Sequence, residues 1–332
     1  MAWGQEAVRV RVPATSANLG PGFDALGLAL TLHDEVEAWI SESGLSVEVS
    51  GEGADLADTG EDHLVVRAMR AAFAVTGGQP PGLGLRCVNR IPHGRGLGSS
   101  AAAIVAGILA ARTLAAASPA AASPAALPDS ALLRLATRLE GHPDNVAACL
   151  GGGLTIAWMT SAGPHMVRLD PLPSIRPVVC VAPASVGTHV ARGLLPDLVP
   201  HRDAAANAGR SALLIAALTQ LPAATLPGLD PQDGTLFDAT EDRLHQDYRS
   251  AAMPETAGLV RRLRSEGMAA VVSGAGPSVL ALLASGESSD YDQRLDRLGS
   301  IVKETGIAWQ ISSLGVERRG ARVLRPEPSP DC

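Results

Sequence analysis

The chain has 332 residues, 46% of them hydrophobic and 18% charged, which is enough for two domains with sizeable cores. The formal net charge of −7 and the lack of a basic stripe argue against binding of nucleic acid. The sequence shows no apolar core of a signal peptide, no uninterrupted apolar segment of about 18 residues and no C-x-x-C pair of cysteines. These features predict a cytoplasmic protein with reduced thiols and with neither a nucleic-acid nor a membrane partner.

The spacing of apolar residues predicts several strands and one helix before the first conspicuous motif. Residues 13–30 combine turn formers with apolar side chains, so they are expected to form a loop that lies over the core. The predicted elements around this loop are strands at 8–12, 34–40, 45–49 and 82–91 and a helix at 62–75.

A glycine-rich stretch, P-H-G-R-G-L-G-S-S-A-A-A-I-V-A-G-I-L-A at 92–110, joins the last of these strands to a predicted helix at 101–114. Such a loop directs free backbone N–H groups and the positive end of the helix dipole towards one point, where phosphate is the natural occupant. Ser99 replaces the third glycine of G-x-G-x-x-G, the single lysine is Lys303, and H-R-D and D-F-G are absent. Two interpretations remain: a tight turn, or a phosphate loop that uses backbone amides and serine hydroxyls.

Along the chain the predicted strands and helices are grouped, which predicts an α+β fold for both halves. A low-complexity tract at 115–128 is expected as an exposed connection, and Asp129 or Ser130 is expected to cap the helix that follows. Frequent prolines indicate a domain boundary near residue 165. The later predicted elements are strands at 154–159, 178–182 and 269–273 and helices at 204–218, 237–246, 255–266 and 290–304.

Three further features carry chemical groups, and each has a plainer alternative. The segment E-G-H-P-D-N at 140–145 is either a polar helix end or a site where Glu140 and a serine hydroxyl help to hold Mg²⁺, a cation that prefers oxygen ligands. The loop S-G-A-G-P-S at 273–278 is either a turn or a second wall of a phosphate site. Arg192 and Arg249 are either surface charges or a pair that captures a carboxylate through planar guanidinium groups.

The segments at 13–24, 92–102 and 273–278 resemble, in order, the three motifs of the GHMP small-molecule kinase superfamily. Within it, P-A-T-S-A-N-L-G-P-G-F-D, E-G-H-P-D-N and L-H-Q-D-Y-R are similar to the branch that phosphorylates L-homoserine. The likeness extends over about residues 8 to 315, nearly the whole chain.

This resemblance implies an N-terminal domain like ribosomal protein S5 domain 2 at 1–165 and a ferredoxin-like domain at 166–332, with ATP and substrate between them. It implies transfer of phosphate from ATP, with Mg²⁺, to the hydroxyl of L-homoserine, and a homodimer as a family expectation. Two alternatives stay open: a GHMP kinase that acts on a different small alcohol, and an inactive GHMP-like protein that binds its ligands without turnover.

The resemblance also implies roles for individual residues. The ATP phosphates would lie on Pro92, His93, Gly94, Arg95, Gly96, Leu97, Gly98, Ser99 and Ser100, with Ala101, Ala102, His63, Gly274 and Gly276 also around the nucleotide. Mg²⁺ would be attended by Ser99, Ser100 and Glu140. L-homoserine would contact Asn18, Asp24, His142, Arg192 and Arg249.

The catalytic group of this set comprises Glu140, His142, Asp144 and Asn145, and it leaves the mechanism open. Asp144 is a candidate general base, and Asn145 is the alternative residue facing the hydroxyl. Catalysis by positioning and charge stabilisation is favoured, because phosphoryl transfer has a loose transition state. His63 stands where the family usually has asparagine, which affects the expected adenine or ribose contact.

Overall fold

The computed structural model describes residues 6–117, 127–220, 233–284 and 288–324. Strands and helices alternate in groups along these ranges, which confirms the α+β prediction. The strands are β1 Val8–Ala17, β2 Leu26–Ser41, β3 Gly44–Gly51, β4 Gly82–Asn89, β5 Leu154–Thr160, β6 Gly163–Leu169, β7 Ile175–Val181, β8 Ala269–Val272, β9 Val279–Ala284, β10 Gln310–Ser313 and β11 Arg322–Leu324. The helices are α1 Leu64–Thr76, α2 Ser99–Ala116, α3 Asp129–Glu140, α4 Asp144–Gly151, α5 Thr188–Gly193, α6 His201–Thr219, α7 Asp233–Ala239, α8 Gln246–Arg249, α9 Pro254–Ser265 and α10 Ser288–Glu304.

The first sheet runs in the order β11-β1-β2-β4-β3, and β5 and β6 extend it from β2. Its pairs are antiparallel except β3 with β4. Helix α2 packs between α1 and β1, and its residues are small or apolar around nearly the whole circumference. Among the described helices α2 has the length and composition of a membrane span, but 67% of it is buried here, so it is the central helix of this layer.

The second sheet has the antiparallel order β10-β7-β9-β8. Alternate residues of β7 enter different cores: Val178 and Cys180 pack with α9 and α10, whereas Val179 and Val181 join the large core of the first layer. Both faces of the sheet are therefore covered. This explains why β8 and β9 are continuous apolar runs rather than polar–apolar alternations.

Two predictions about the backbone were wrong. The segment at 13–30 is mostly strand, because β1 continues across a register shift at Pro13/Ala14 and β2 begins at Leu26. The helix predicted at 237–246 is interrupted: α7 ends at Ala239, and the Asp242 carboxylate accepts hydrogen bonds from the N–H groups of residues 244, 245 and 246, which starts α8 instead.

Smaller differences concern caps, short elements and the domain boundary. Pro128, rather than Asp129 or Ser130, occupies the N-cap position of α3. Elements α4, α5, β6, β10 and β11 were not predicted. The boundary near residue 165 remains a prediction; that position falls inside β6, and β11 returns to pair with β1 of the first sheet. Cys87, Cys149 and Cys180 are buried free thiols, whereas Cys332 and most of the 115–128 tract lie outside the described residues.

Candidate active site

The glycine-rich loop lies between β4 and α2, as predicted. Gly94, Gly96 and Gly98 all have positive φ (65°, 72° and 70°), and Gly98 is the N-cap residue of α2 without a side-chain cap. The entrance to the loop is fixed by the buried Asp34 carboxylate, which accepts hydrogen bonds from the N–H groups of Arg90 and Ile91 at 2.5 and 2.9 Å. Because α2 has no side-chain cap, its first backbone N–H groups are left to an external acceptor. Phosphate binding requires this arrangement.

The second glycine loop, at 273–278, interlocks with the first. The Ser273 hydroxyl lies 2.7 Å from the Gly96 carbonyl oxygen and 2.8 Å from the Ser16 hydroxyl. The Gly274 N–H donates to the carbonyl oxygen of Ala17 at 3.1 Å. The two loops and the end of β1 therefore form one rigid unit, and Gly96 is the position where the backbones approach most closely.

We expect Gly96→Ala to abolish the ATP binding that the resemblance to GHMP kinases implies for this loop, because a Cβ there would lie 2.1 Å from the Ser273 carbonyl oxygen and 2.9 Å from that of Gly276. The two loops would have to separate, which displaces the phosphate-facing amides. Steady-state kinetics should show kcat/KM for ATP reduced at least about 100-fold, the scale on which small misplacements reduce catalysis. Gly77→Ala is the matched control: Gly77 has φ 117° but open space around it, so only backbone strain of ~1–2 kcal/mol is expected, seen as a lower Tm with normal kinetics.

The first motif turns sharply after β1. Asn18, Leu19 and Asp24 have positive φ (67°, 50° and 56°), an uncommon conformation for non-glycine residues that points to a functional constraint. The Asn18 side chain holds the turn together: its amide donates to the Gly274 carbonyl at 2.8 Å, and its oxygen accepts the Asp24 N–H at 3.0 Å. Asn18 therefore links the first motif to the second glycine loop.

Glu140 is the last residue of α3, which ends because Gly141 adopts the left-handed conformation. Its carboxylate accepts a hydrogen bond of 2.7 Å from the Ser100 hydroxyl in the first turn of α2. Burial raises the pKa of Glu140, and the Ser100 hydrogen bond and His142 oppose that rise. A half-buried carboxylate beside an exposed hydroxyl, at the mouth of the phosphate loop, is a hard oxygen donor set.

His142, Asp144 and Asn145 form one hydrogen-bonded group at the start of α4. Oδ1 of Asp144 lies 2.6 Å from His142 Nδ1 and accepts the Asn145 N–H at 2.7 Å. This hydrogen bond raises the pKa of His142. Asn145 Oδ1 accepts a hydrogen bond from the Thr15 hydroxyl at 2.8 Å, so the orientation of the Asn145 amide is also fixed.

The two arginines come from different elements and meet at Phe23. The guanidinium of Arg192, on α5, forms a bidentate ion pair with Asp24 at 2.7 and 3.1 Å. Arg249, on α8, is only 2% exposed and donates to two neutral acceptors, the Ala191 carbonyl at 3.2 Å and His245 Nδ1 at 3.2 Å. Burial lowers the pKa of Arg249, and the nearby Arg192 lowers it further. Within the described residues Arg249 forms no direct ion pair, although the carboxylates of Asp24, Asp242 and Asp144 lie near enough to oppose the lowering of its pKa.

One cavity of about 200 Å³ collects most of the predicted site residues. It brings together residues of the two glycine loops, three carboxylates, and a group of amide, imidazole and guanidinium side chains. In that order they are Gly94, Gly96, Gly98, Ser99, Ser100 and Gly274; Asp24, Glu140 and Asp144; and Asn18, Asn145, His142, Arg192 and Arg249.

Other predicted residues lie near this cavity without lining it. His63 and His93 line a neighbouring cavity of about 360 Å³, which shares Ser99, Ser100 and Ala102 with the loop. Arg95 turns away and donates to the carbonyl oxygens of Ala182 and Pro183. The remaining predicted loop residues are buried and do not line the cavity: Pro92, Leu97, Ala101 and Gly276. A larger cavity, about 890 Å³, lies among α6, α8 and α9, away from the glycine loop.

Sequence reasoning missed Thr15, Asp242 and His245. Thr15 lies inside the first motif, and its hydroxyl orients Asn145. Asp242 and His245 lie in the segment taken for a continuous helix, and Asp242 is a side-chain cap that only the break in that helix makes visible.

Two sequence families match separate parts of the chain. "GHMP kinases N terminal domain" matches residues 63–153, and "GHMP kinases C terminal" matches residues 226–308. The first match contains the glycine-rich loop and the Glu140–Asn145 group; the second contains Arg249 and the second glycine loop. Fold and site together define an ATP-dependent small-molecule kinase of the GHMP class.

Full-length relatives specify the family further. The homoserine kinase of Streptomyces coelicolor is 54% identical over 96% of this chain and 94% of its own length, and that of Clavibacter michiganensis subsp. michiganensis is 50% identical over 95% and 93%. The crystal structure of homoserine kinase from Cytophaga hutchinsonii has the same fold, with a TM-score of 0.78 at 24% identity over 98% of this chain and 100% of that one. The chain belongs to the homoserine kinase family.

Proposed function

We propose that the chain transfers the γ-phosphoryl group of ATP to the side-chain hydroxyl of L-homoserine, giving ADP and O-phospho-L-homoserine. The observation that carries this proposal is Arg249, a buried cation without an ion-pair partner in the described residues, in the same cavity as the phosphate loop. An α-amino acid supplies the carboxylate that would neutralise it. A guanidinium binds a carboxylate through two parallel N–H donors, which also fixes its orientation.

The other polar groups of the cavity match the rest of an amino acid. Asp24 offers a carboxylate for the α-amino group, and in the free enzyme that carboxylate is held by Arg192. When the substrate binds, its amino group would pair with the Asp24 carboxylate, and its carboxylate would pair with the Arg192 guanidinium. Each charge of the Arg192–Asp24 ion pair would then have a partner in the substrate. A neutral sugar or polyol has no carboxylate and would leave the buried charge of Arg249 without an ion-pair partner.

The glycine-rich loop would cradle the phosphates of ATP. The amides of Ser99 and Ser100, at the start of α2, and the backbone of the three glycines would provide donors that need no lysine. The neighbouring cavity with His63 and His93 is the place for the nucleoside, because it opens onto the same two serines. His63 at the entrance to α1 then replaces the asparagine usual in the family.

The residues present fit a magnesium ion. Ser100 and Glu140 place a hydroxyl and a carboxylate oxygen 2.7 Å apart beside the phosphate loop, and oxygen donors completed by phosphate and water are what Mg²⁺ prefers. Ser99 is the alternative hydroxyl ligand. When bound there, Mg²⁺ would supply positive charge that offsets the negative charge of the phosphates.

Catalysis would then rest on positioning rather than on a general base. Oδ1 of Asp144 already binds His142 and the backbone of Asn145, and its side chain is 3% exposed, so it is built to orient His142. Asn145, held by Thr15, and His142 would align the hydroxyl with the γ-phosphorus. A loose transition state needs this alignment and charge stabilisation more than removal of the hydroxyl proton before attack.

The test is a substrate panel with coupled detection of ADP. The purified chain with ATP and Mg²⁺ is expected to turn over L-homoserine and to leave mevalonate and galactose unphosphorylated. D-homoserine and a homoserine ester should also react poorly, because the first misplaces the amino group and the second removes the carboxylate charge. Turnover of mevalonate or galactose without L-homoserine would show a GHMP kinase for another alcohol, and ATP binding without any turnover would show a ligand-binding protein. The homodimer and the cytoplasmic location stay predictions.

A further inference from the structure

His245 is fully buried and lies between two parts of the proposed substrate site. Its Nε2 is 2.8 Å from the carbonyl oxygen of Gly20 in the first motif, and its Nδ1 is 3.2 Å from Nη1 of Arg249. The ring also packs against Phe23, with ring centroids 5.0 Å apart, and Phe23 in turn lies under both arginines. No other described residue hydrogen-bonds to both the first motif and Arg249.

These two contacts fix the protonation of the ring. An arginine only donates hydrogen bonds, so Nδ1 must accept; a carbonyl oxygen only accepts, so Nε2 must carry the hydrogen. His245 is therefore neutral and in the Nε2–H tautomer. Burial lowers the pKa of His245, which agrees with a neutral ring although the Asp242 carboxylate lies 3.6 Å away.

A buried hydrogen-bond network around Asp242 fixes the position of His245. Asp242 has a fully buried side chain that accepts the N–H groups of Leu244, His245 and Gln246 and a hydrogen bond from Asn207 at 2.9 Å. Asn207 also donates to the Pro21 carbonyl at 3.3 Å, next to the Gly20 contact. The short helix α8 and the first motif are thus tied to the same network, and His245 forms its connection to Arg249.

We propose that His245 is a positioning residue for substrate recognition, which sets the spacing between Arg249 and the first motif through Gly20. This inference rests on the proposed function, in which Arg249 binds the carboxylate of homoserine and Asp24 its amino group. The two charges of a zwitterion have one separation, so a site that recognises both must keep its cation and its carboxylate at a matching separation. His245 acts through Arg249 and does not itself touch the substrate.

The test separates the two contacts of His245 by isosteric replacement. Asparagine can place its oxygen near the position of Nδ1 and keep the acceptor for Arg249, whereas glutamine can place its amide near Nε2 and keep the donor to Gly20. We expect His245→Ala to raise KM for L-homoserine about tenfold, equivalent to ~1.4 kcal/mol, with KM for ATP unchanged. His245→Asn should stay within about threefold of the wild type, and His245→Gln should behave like His245→Ala, because the contact to a charged group is the stronger one.

His33 provides a matched control. It is also buried, accepts a hydrogen bond from an arginine at Nδ1 (Arg11, 3.2 Å) and has a 2.8 Å contact at Nε2 (Glu317), but it does not line the site. His33→Ala is expected to lower Tm to a similar extent and to leave KM for L-homoserine within about twofold.

A double-mutant cycle with Arg249→Ala completes the experiment. Once Arg249 is absent, removing His245 should raise KM for L-homoserine by less than about twofold further, because the two residues act as one unit. Additive effects, or equal rises in KM for ATP and for L-homoserine, would refute the positioning role. If His245→Ala does not fold, the comparison of the Asn and Gln variants decides the matter: equal KM values for these two would also refute it. If the wild type does not phosphorylate L-homoserine at all, the proposed function fails first.

Discussion

Glu140→Ala is expected to reduce kcat roughly 10²–10³-fold, the range seen when one preorganised electrostatic contact to a transition state is removed. In the structure its carboxylate lies at the mouth of the phosphate loop, 2.7 Å from the Ser100 hydroxyl. Without it the proposed Mg²⁺ site keeps a hydroxyl and no protein charge, so the phosphate charge is poorly offset when the bond to the leaving group breaks. Activity should be measured across a Mg²⁺ titration, and the concentration needed for half-maximal rate should rise together with the loss of kcat.

Asp144→Asn is the control that separates charge stabilisation from base catalysis. The three hydrogen bonds of the Asp144 carboxylate, with His142 Nδ1, the Asn145 N–H and, at 3.5 Å, the Asn145 amide, all use Oδ1. An asparagine oxygen can accept them too, so His142 and Asn145 keep their positions. We expect kcat to fall less than about tenfold, since only the negative charge is lost. Equal collapse of Glu140→Ala and Asp144→Asn would contradict the view that no general base is used and would assign that role to Asp144.

A second control addresses folding. Glu317 is a buried glutamate, hydrogen-bonded to His33 at 2.8 Å, and it does not line the cavity. Glu317→Gln should lower Tm by a few degrees and leave the Mg²⁺ dependence unchanged. A Mg²⁺ dependence that shifts in Glu317→Gln as well would show that the effect of Glu140→Ala reflects stability rather than the site.

The order of strands and helices could be read from the sequence where local patterns dominate. The V-R-V-R-V alternation and the glycine-rich loop before a helix gave correct elements because neighbouring residues determine them. The prediction for the turn-rich segment at 13–30 was wrong because its two ends pair with each other across the turn, and residues 26–28 also pair with Leu154–Ile156, far along the chain. The helix at 237–246 misled for the opposite reason: a local carboxylate cap, at Asp242, competes with the helical backbone.

The site could be predicted in its parts but not in its couplings. The glycines, the serines and the E-G-H-P-D-N segment predict a phosphate loop and the residues beside it, because the groups involved are close together in the sequence. Arg192 forms an ion pair with Asp24, whereas Arg249 forms none among the described residues. The sequence does not reveal this difference, because Arg192 and Asp24 are more than 150 positions apart. The role of His245 depends on a carbonyl of Gly20, and no residue pattern encodes a backbone contact of that kind.

These couplings also explain how one cavity can treat two anionic ligands differently. In the proposed complex the phosphates would meet backbone amides and a helix terminus, which carry only partial charge. The carboxylate of the substrate would meet two full charges: Arg192, which Asp24 balances in the free enzyme, and Arg249, which has no ion-pair partner among the described residues. An amino acid would supply an anion for the arginines and, once Arg192 turns to that anion, a cation for Asp24.

Arg249→Ala is accordingly expected to raise KM for L-homoserine about 100-fold, equivalent to ~2.7 kcal/mol, with a smaller change in kcat and an unchanged KM for ATP. The guanidinium is buried and bonded only to neutral acceptors, so the carboxylate of the substrate would be its full electrostatic partner. Arg249→Lys should recover little of this, because a lysine amine lacks the planar pair of donors and cannot satisfy Ala191, His245 and the substrate together. The measurement is steady-state kinetics with each substrate varied in turn, and L-homoserinamide, which lacks the carboxylate charge, should be used about equally by the wild type and by Arg249→Ala.

The matched control for this variant is Arg264, a second largely buried arginine of the same half. It donates to the Thr240 hydroxyl at 2.8 Å and the Phe237 carbonyl at 3.1 Å and lies over the Phe237 ring, 4.3 Å from its centroid, so it resembles Arg249 in setting. It lines the larger cavity among α6, α8 and α9 instead of the phosphate-loop cavity. Arg264→Ala should lower Tm without raising KM for L-homoserine. A comparable rise in both variants would mean that loss of a buried arginine loosens this half of the molecule as a whole, whereas a rise confined to Arg249→Ala identifies the cation that reads the carboxylate.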